Sequence, residues 1–215
     1  MSDPLPAHYP PTDPSPAPAA GDDPIGAVLA AHLEVIRGLE ALRPQLQTFA
    51  ERAWSCLAGG GRLLWMGNGG SAGDSQHLAA ELVGRFERER PGLAAIALTT
   101  DSSILTSVAN DYGFEQVFAR QVEALGRPGD LLVGLSTSGN SPNVVRAMER
   151  AAGLDLYRVG LTGADGGALA DCCELCLQVP SRNTARIQEA HILLGHLLCD
   201  LVERQAVAAA QRPGA

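Results

Sequence analysis

The sequence contains no lysine, and all 16 of its basic residues are arginine. Lysine forms Schiff bases with carbonyl substrates, anchors pyridoxal phosphate, and contacts the phosphates in a Walker A loop. Its absence therefore excludes a Schiff-base aldolase, a lysine-anchored pyridoxal-phosphate enzyme and a Walker A nucleotide site. Carbonyl chemistry in this chain has to use acid–base groups or a metal ion.

Basic charge is also scarce, since 24 acidic residues outnumber 16 arginines and give a net charge of −8. This balance argues against a surface for nucleic acid or anionic membranes. The longest apolar stretch, residues 192–202, is interrupted by His196 and Asp200 and is too short to span a membrane. The first residues show neither the positive charge nor the apolar core of a signal peptide. We therefore expect a cytoplasmic protein that binds neither nucleic acid nor membrane.

The five cysteines do not form a recognisable disulfide or zinc pattern. Cys172, Cys173 and Cys176 could supply half of a structural zinc site, but no second cysteine pair accompanies them. Residues 173–179 also alternate between polar and apolar in the manner of a strand. Buried free thiols in a reducing compartment are the favoured interpretation, with structural zinc as the weaker alternative.

The order of predicted elements indicates one α/β domain at 24–205, between a disordered Pro/Ala-rich tail at 1–23 and a flexible tail at 206–215. Strands are predicted at 62–66, 94–99, 130–136, 157–162 and 174–179. Helices are predicted at 25–38, 42–57, 72–85, 102–110, 114–124, 142–152, 167–171 and 184–205. Alternation of this kind predicts a five-stranded parallel, doubly wound sheet in the flavodoxin-like order 2-1-3-4-5.

The loop Ser136-Thr137-Ser138-Gly139-Asn140-Ser141 is the most distinctive segment of the sequence. It follows the apolar run 131–135 and is closed by Pro142, which predicts Ser141 as the N-cap and Pro142 as the first residue of a helix. Hydroxyl groups and backbone N–H groups at the positive end of a helix favour an anion, most often phosphate. The alternative is an ordinary serine-rich loop.

A second unusual loop, residues 67–72, follows the first predicted strand and reads Gly-Asn-Gly-Gly-Ser-Ala. In a 2-1-3-4-5 sheet, ligands bind where the strand order reverses, between the loops after strands one and three. The two loops should therefore face each other across one crevice, which strengthens the phosphate interpretation. Gly67, Gly69 and Ala72 also fit a relaxed dinucleotide fingerprint, but the nearest acidic residue at the next strand end, Asp101, lies 29 positions beyond Ala72. A nucleotide-binding enzyme is accordingly the weaker alternative.

Four side chains on two predicted helices could carry chemistry. His77 and Glu81 are four residues apart and share one helix face. Gln188 and His196 are eight residues apart, within about 80° of each other around the last helix, with His191 as the competing histidine. Together they form a nitrogen and oxygen ligand set suited to Zn²⁺ or another divalent cation. The alternatives are a surface pair for His77 and Glu81 and a core position for His196.

Asn110 and Asp111 follow an apolar helical segment and could bond sugar hydroxyls. The equally weighted alternative is that Asn110 is an ordinary helix C-cap.

Five motifs, in order along residues 25–204, resemble the SIS-domain sedoheptulose 7-phosphate isomerase (phosphoheptose isomerase) family. They are Gly67-Asn68-Gly69-Gly70-Ser71, His77-x-x-x-Glu81-x-x-x-Arg85, Ala109-Asn110-Asp111-Tyr112-Gly113-Phe114, Ser136-Thr137-Ser138-Gly139-Asn140-Ser141, and Ala185-Arg186-Ile187-Gln188-Glu189-x-His191, with His196 five residues later. One position departs from the pattern, because some members carry Asp where this chain has Ala185.

The resemblance implies conversion of D-sedoheptulose 7-phosphate to D-glycero-D-manno-heptose 7-phosphate by a homotetramer with active sites at subunit interfaces. It implies one Zn²⁺ per active site, held by His77, Glu81, Gln188 and His196, with Glu81 as base and His196 as acid in an enediol mechanism. Substrate contacts would come from Asn68, Gly69, Gly70, Ser71, Glu81, Asn110, Asp111, Ser136, Thr137, Ser138, Ser141 and Gln188.

A related SIS-domain protein that binds the replication initiator DnaA shares the fold and several loops, and it resembles this chain around 85–91. It lacks the carboxylate and imidazole found here at Glu81 and His196. A non-catalytic regulator of this kind is the alternative to the isomerase.

Overall fold

The computed structural model describes residues 23–211 and contains a five-stranded parallel sheet. Its order is β2-β1-β3-β4-β5, which confirms the predicted flavodoxin-like arrangement. The strands are β1 (Leu63–Gly67), β2 (Ala95–Ala97), β3 (Leu131–Leu135), β4 (Tyr157–Thr162) and β5 (Leu175–Gln178). The strand order reverses between β1 and β3, so the loops after these two strands flank the position where ligands bind in such sheets.

Helices cover both faces of the sheet, as expected for parallel strands that are buried on both sides. The α-helices are α1 (Pro24–Gly38), α2 (Arg43–Ala58), α3 (Gly70–Val83), α4 (Ser102–Tyr112), α5 (Ala119–Leu125), α6 (Pro142–Ala152), α7 (Gly167–Asp171) and α8 (Thr184–Ala210). Short 3₁₀ helices occupy Leu39–Leu42 and Phe114–Gln116.

The two sides of β1 belong to two hydrophobic clusters, because successive strand side chains point to opposite faces. Leu63 and Trp65 pack in the cluster formed with α1, α2, α3 and α8. Leu64 and Met66 pack in the cluster formed with α5, α6 and α7. Helices α3 and α8, which carry the candidate catalytic residues, therefore lie on the same face of the sheet.

Three elements differ from the sequence prediction. β2 contains only Ala95–Ala97, and the predicted helix at 114–124 is divided into a 3₁₀ turn and α5. Helix α8 continues to Ala210 rather than ending near 205, because the alanine-rich segment 206–210 has a high helix propensity. The predicted flexible tail at 206–215 is therefore wrong over 206–210, which are helical. Residues 1–22 of the predicted tail at 1–23, and residues 212–215, lie outside the described residues.

The length of α8, 27 residues, does not make it a membrane helix. Between residues 23 and 211, no helix combines the length and apolarity needed to cross a bilayer. The cytoplasmic location stays a prediction.

All five cysteines are free thiols, but the prediction that they are buried holds only for Cys199, since the other four are half-buried. Burial raises the pKa of Cys56 to about 11 and that of Cys199 to about 12. Within residues 23–211, no three Cys, His, Asp or Glu side chains form a ready-made metal cluster, and this holds for the 172–176 cysteines and for the predicted ligands His77, Glu81 and His196 alike.

Candidate active site

The loops after β1 and β3 are joined by a pair of asparagines. Asn68 Nδ2 donates to Asn143 Oδ1, and Asn143 Nδ2 donates to Asn68 Oδ1, each over 2.8 Å. Asn143 lies in the first turn of α6 and is only 2% exposed. The predicted crevice is therefore present, with its two walls held together by a reciprocal amide pair. Sequence reasoning missed Asn143 because nothing local distinguishes it from an ordinary helical residue.

Serine hydroxyls bond one another within the loop after β3. Ser136 Oγ and Ser141 Oγ are 2.9 Å apart, and Ser138 Oγ accepts a hydrogen bond from the Asn140 backbone N–H over 3.1 Å. Ser141 occupies the N-cap position and Pro142 begins α6, as predicted, but the Ser141 hydroxyl makes no capping bond to the helix. Its partner is Ser136, so these hydroxyls form a local network at the helix N-terminus.

Gly139 locks this loop against the turn that precedes α7. Its φ of 68° lies in the left-handed region that favours glycine, and an added Cβ would overlap the backbone of Gly166. The Gly139 carbonyl accepts the Leu169 N–H over 2.8 Å, and Asn140 Oδ1 accepts the Ala168 N–H over 3.0 Å. These contacts hold the loop in one conformation.

The glycines of the loop after β1 bring α8 close to the N-terminus of α3. Gly69 has φ 55° and ψ −121°, a backbone conformation available essentially to glycine alone. A Cβ added to Gly70 would overlap the amide of Gln188, so only a glycine leaves room for this side chain. Gln188 therefore lies at the crevice, beside Gly70 and the buried Ser71.

Three of the predicted catalytic and metal-binding side chains converge where α3 crosses α8. His77 Nε2 lies 2.9 Å from His196 Nε2 and 3.4 Å from Glu81 Oε1. The two helices approach closely at Gly195, where an added Cβ would be 2.5 Å from the Leu78 methyl carbons. The His77 side chain is 47% exposed and the Glu81 side chain 22% exposed, so the cluster is accessible to solvent.

Asp74 is an additional acidic residue of this site that the sequence prediction missed. Burial raises its pKa, while Gln188, His77 and His196 oppose that shift. Its Oδ2 atom is buried and has no hydrogen-bond partner within the described structure. The available signal was helix periodicity, since Asp74 precedes His77 by three residues and shares its face.

The comparisons with known proteins identify the family of this chain. The SIS domain family model matches residues 29–163. The chain is 59% identical over 168 residues to the phosphoheptose isomerase of Roseiflexus sp. (strain RS-1), covering 78% of this chain and 85% of that protein. This chain belongs to the phosphoheptose isomerase family. The alternative of a non-catalytic protein that binds DnaA is accordingly not favoured.

Solved phosphoheptose isomerases share its fold. The structure from Neisseria gonorrhoeae has a TM-score of 0.79 and 47% sequence identity, and it covers 84% of this chain and 97% of that one. The structure from Francisella tularensis has a TM-score of 0.81 and 42% identity, with 84% and 96% covered. The fold of this chain therefore matches almost the full length of both solved structures.

His191, the competing histidine, is a core residue of the isomerase. Its side chain is fully buried, and its Nε2 lies 3.2 Å from the Thr162 carbonyl oxygen, to which it donates when protonated there. Burial lowers its pKa to about 4 despite this hydrogen bond. A neutral imidazole enclosed in this way cannot reach a substrate, which leaves His196 as the accessible histidine of α8.

Asn110 and Asp111 lie on the exposed last turn of α4, where Asn110 Nδ2 donates to Asp111 Oδ1 over 2.8 Å. The helix continues to Tyr112 and is followed by Gly113 with a φ of 91°, so the alternative that Asn110 is the C-cap is wrong. Within the described residues, no hydrogen bond joins this pair to the cluster of His77, Glu81 and His196.

Proposed function

We propose that this isomerase interconverts D-sedoheptulose 7-phosphate and D-glycero-D-manno-heptose 7-phosphate. The observation that carries the proposal is the contact of His77 with two further acid–base groups, since its Nε2 lies 2.9 Å from His196 Nε2 on α8 and 3.4 Å from Glu81 Oε1 on α3. This cluster combines a carboxylate and two imidazoles, the groups most used for proton transfer. Its helix α3 starts in the loop that the Asn68–Asn143 pair joins to α6.

The phosphate end of the ketose is assigned to the two loops of the crevice. The binding atoms come from Ser136, Thr137, Ser138 and Ser141 on one side and from Asn68, Gly69, Gly70 and Ser71 on the other. Binding energy from a group remote from the reacting carbons can be used to orient them. We assign Asn110, Asp111 and Gln188 to the sugar hydroxyls, on the family resemblance.

The reaction moves a proton from C1 to C2 through a cis-enediol. Glu81 takes the C1 proton, the C–H electron pair forms the C1–C2 double bond, and His196 gives a proton to the C2 oxygen. In the second half, Glu81 returns a proton to C2 while the C1 hydroxyl proton passes to His196, which leaves the C1 aldehyde. His77 Nε2 lies 2.9 Å from His196 Nε2, within hydrogen-bond distance, and so orients that ring.

We further propose that His77, Glu81, Gln188 and His196 hold one Zn²⁺. The donor chemistry fits, since imidazole nitrogen and carboxylate or amide oxygen are suitable ligands. The buried Asp74 Oδ2 also has no hydrogen-bond partner within the described residues, and burial raises the pKa of this carboxyl, an effect that a nearby cation would oppose. Metal binding through both Nε2 atoms would require each imidazole to be the neutral tautomer that carries its proton on Nδ1. When bound, the metal would polarise the C2 carbonyl.

We propose that copies of the chain associate through an exposed apolar surface of helix α1. Ile25, Val28, Leu29 and Leu33 form one stripe along it and are 72%, 50%, 57% and 49% exposed. A contiguous apolar stripe in water favours a partner surface. In line with the family resemblance, we propose that this stripe is covered by further copies of the chain in a homotetramer.

The decisive experiment is a turnover assay with D-sedoheptulose 7-phosphate in D₂O. The enediol mechanism predicts solvent deuterium at C2 of the heptose product, because the abstracted proton exchanges with water. A folded, metal-analysed preparation that gives no product refutes the isomerase. Binding of the ketose phosphate without turnover would instead identify the non-catalytic alternative.

A further inference from the structure

Glu203 is a fully buried carboxylate on α8, one heptad after His196 and on the same side of the helix. Its oxygens accept three backbone hydrogen bonds, from the N–H groups of Phe86 (3.0 Å), Glu87 (2.9 Å) and Arg88 (2.7 Å). Burial opposes its ionisation, but these donors and Arg90 outweigh burial and hold the pKa of Glu203 below its ordinary value. A buried charge with this many partners fixes the loop after α3 onto α8.

Arg90 completes the attachment from the side of α3. It is 2% exposed on its side chain, and its Nε lies 3.3 Å from Glu203 Oε1. Its guanidinium also donates to the carbonyl oxygens of Leu82 (2.7 Å) and Glu81 (2.9 Å), which lie in the last turn of α3. The ion pair therefore connects the end of the helix that carries Glu81 to the helix that carries His196.

Phe86 transmits this attachment to the active site. Its ring stacks on the His196 imidazole, with ring centroids 5.4 Å apart and planes 27° apart. On another side the His196 ring meets His77 edge-on, with centroids 5.1 Å apart and planes at 70°. The His196 ring is thus held by Phe86 and His77, and Phe86 is itself anchored through its backbone to Glu203.

We propose that Glu203 is a positioning residue for the isomerisation and that it acts through Phe86 on His196. The inference rests on the proposed function, in which His196 donates a proton to the C2 oxygen of the substrate. Proton transfer depends on placement to within tenths of an ångström, and a displacement of about 1 Å can cost about 100-fold in rate. Losing the anchor frees Phe86 and lets the imidazole rotate, while the phosphate loops are unchanged. The defect therefore falls on kcat rather than on KM.

The first test changes Phe86 and leaves the anchor intact. Phe86→Leu should lower kcat about tenfold with KM changed less than about twofold, because the imidazole loses its stacking surface. Phe86→Tyr keeps the ring and should retain kcat. A folded Phe86→Leu variant with wild-type kcat overturns the proposal, as does an equal loss in Phe86→Tyr.

A double-mutant cycle then tests whether Glu203 works through Phe86. Glu203→Gln should reproduce the kcat loss, and in the Phe86→Leu background it should lower kcat no further. Arg204→Gln, which removes the pair with Asp200 on the same helix and leaves the Asp200 pair with Arg88, is the matched control and should leave kcat unchanged. If the kcat losses of the two single variants multiply in the double variant, Glu203 does not act through Phe86, and this part of the proposal is overturned.

Two results separate this inference from the proposed function. A wild-type enzyme without turnover refutes the function itself, whereas wild-type turnover with an unaffected Phe86→Leu variant refutes only the positioning role. If Glu203→Gln fails to fold, the comparison of leucine and tyrosine at position 86 still decides the question.

Discussion

Asn68 and Asn143 each donate to and accept from the other, over 2.8 Å in both directions. This pair joins the two loops to which the phosphate is assigned. Asn143→Asp keeps the size of the side chain but leaves acceptors facing each other, so we expect a loss of about 1–3 kcal/mol in the free energy of unfolding. KM for the heptose phosphate should rise in parallel.

Urea denaturation and steady-state kinetics measure both effects. The matched control is Arg146→Gln on the same helix, which removes only an exposed pair with Glu149. An Asn143→Asp variant as stable as this control, with unchanged KM, would show that the amide pair does not organise the crevice.

The proton-transfer roles predict large and separate effects of Glu81→Gln and His196→Gln. Each should lower kcat by about 100-fold or more, because each removes one acid–base group. Circular dichroism should show an intact fold. His32→Gln, a histidine that pairs with Glu189 away from the cluster, is the control and should keep its activity. Near wild-type kcat in either catalytic variant removes that residue from the mechanism.

The proposed metal site predicts about one Zn²⁺ per chain and loss of activity after chelation, with recovery on adding Zn²⁺. His77→Gln should lower the metal content measured by mass spectrometry, and it should also abolish the rise in thermal midpoint that Zn²⁺ produces in the wild type. Full activity in a preparation shown to be metal-free contradicts the zinc role.

The buried His191 predicts a fall in stability on acidification. Its pKa is about 4 when folded and 6.5 in the unfolded reference. As the pH falls, the unfolded chain therefore binds a proton at His191 before the folded chain does. The stability that the neutral His191 contributes to the fold is complete above pH 6.5 and is lost as the pH falls toward 4. Integrated over that range, the loss is about 3 kcal/mol.

Denaturation curves at a series of pH values measure this slope. His191→Gln retains an amide donor for Thr162 but cannot titrate, so its free energy of unfolding should vary less between pH 6.5 and 4. Equal slopes in both proteins would show that His191 is accessible to protons in the folded state.

The apolar stripe of α1 predicts that its disruption changes the oligomer. Leu29→Gln together with Leu33→Gln should lower the mass found by light scattering while helix content is retained, because the exposed leucines contribute apolar contact area. Glu34→Gln, on the opposite face of α1, is the matched control. An unchanged mass in the double variant places the subunit contacts elsewhere.

Much of the site could be predicted because its signals are local. The spacing of His77 and Glu81 places both on one face of a helix by backbone geometry alone. The alternation of strands and helices likewise predicts a parallel sheet, and the strand order then places the two loops at the reversal point. The ends of helices were predicted less accurately, since α8 includes residues 206–210 beyond its predicted end at 205.

The sequence by itself determined the fold class, the two loops and the pair His77–Glu81, because each follows from periodicity within one or two elements. Only the tertiary structure decided which partners meet across the chain. His77 meets His196 across 119 positions, Asn68 meets Asn143 across 75, and Glu203 meets the backbone of Glu87 across 116. The contact between His77 and His196 depends on how closely α3 packs on α8 at Gly195, and the contact between Asn68 and Asn143 on the pairing of β1 with β3. No local pattern specifies either arrangement.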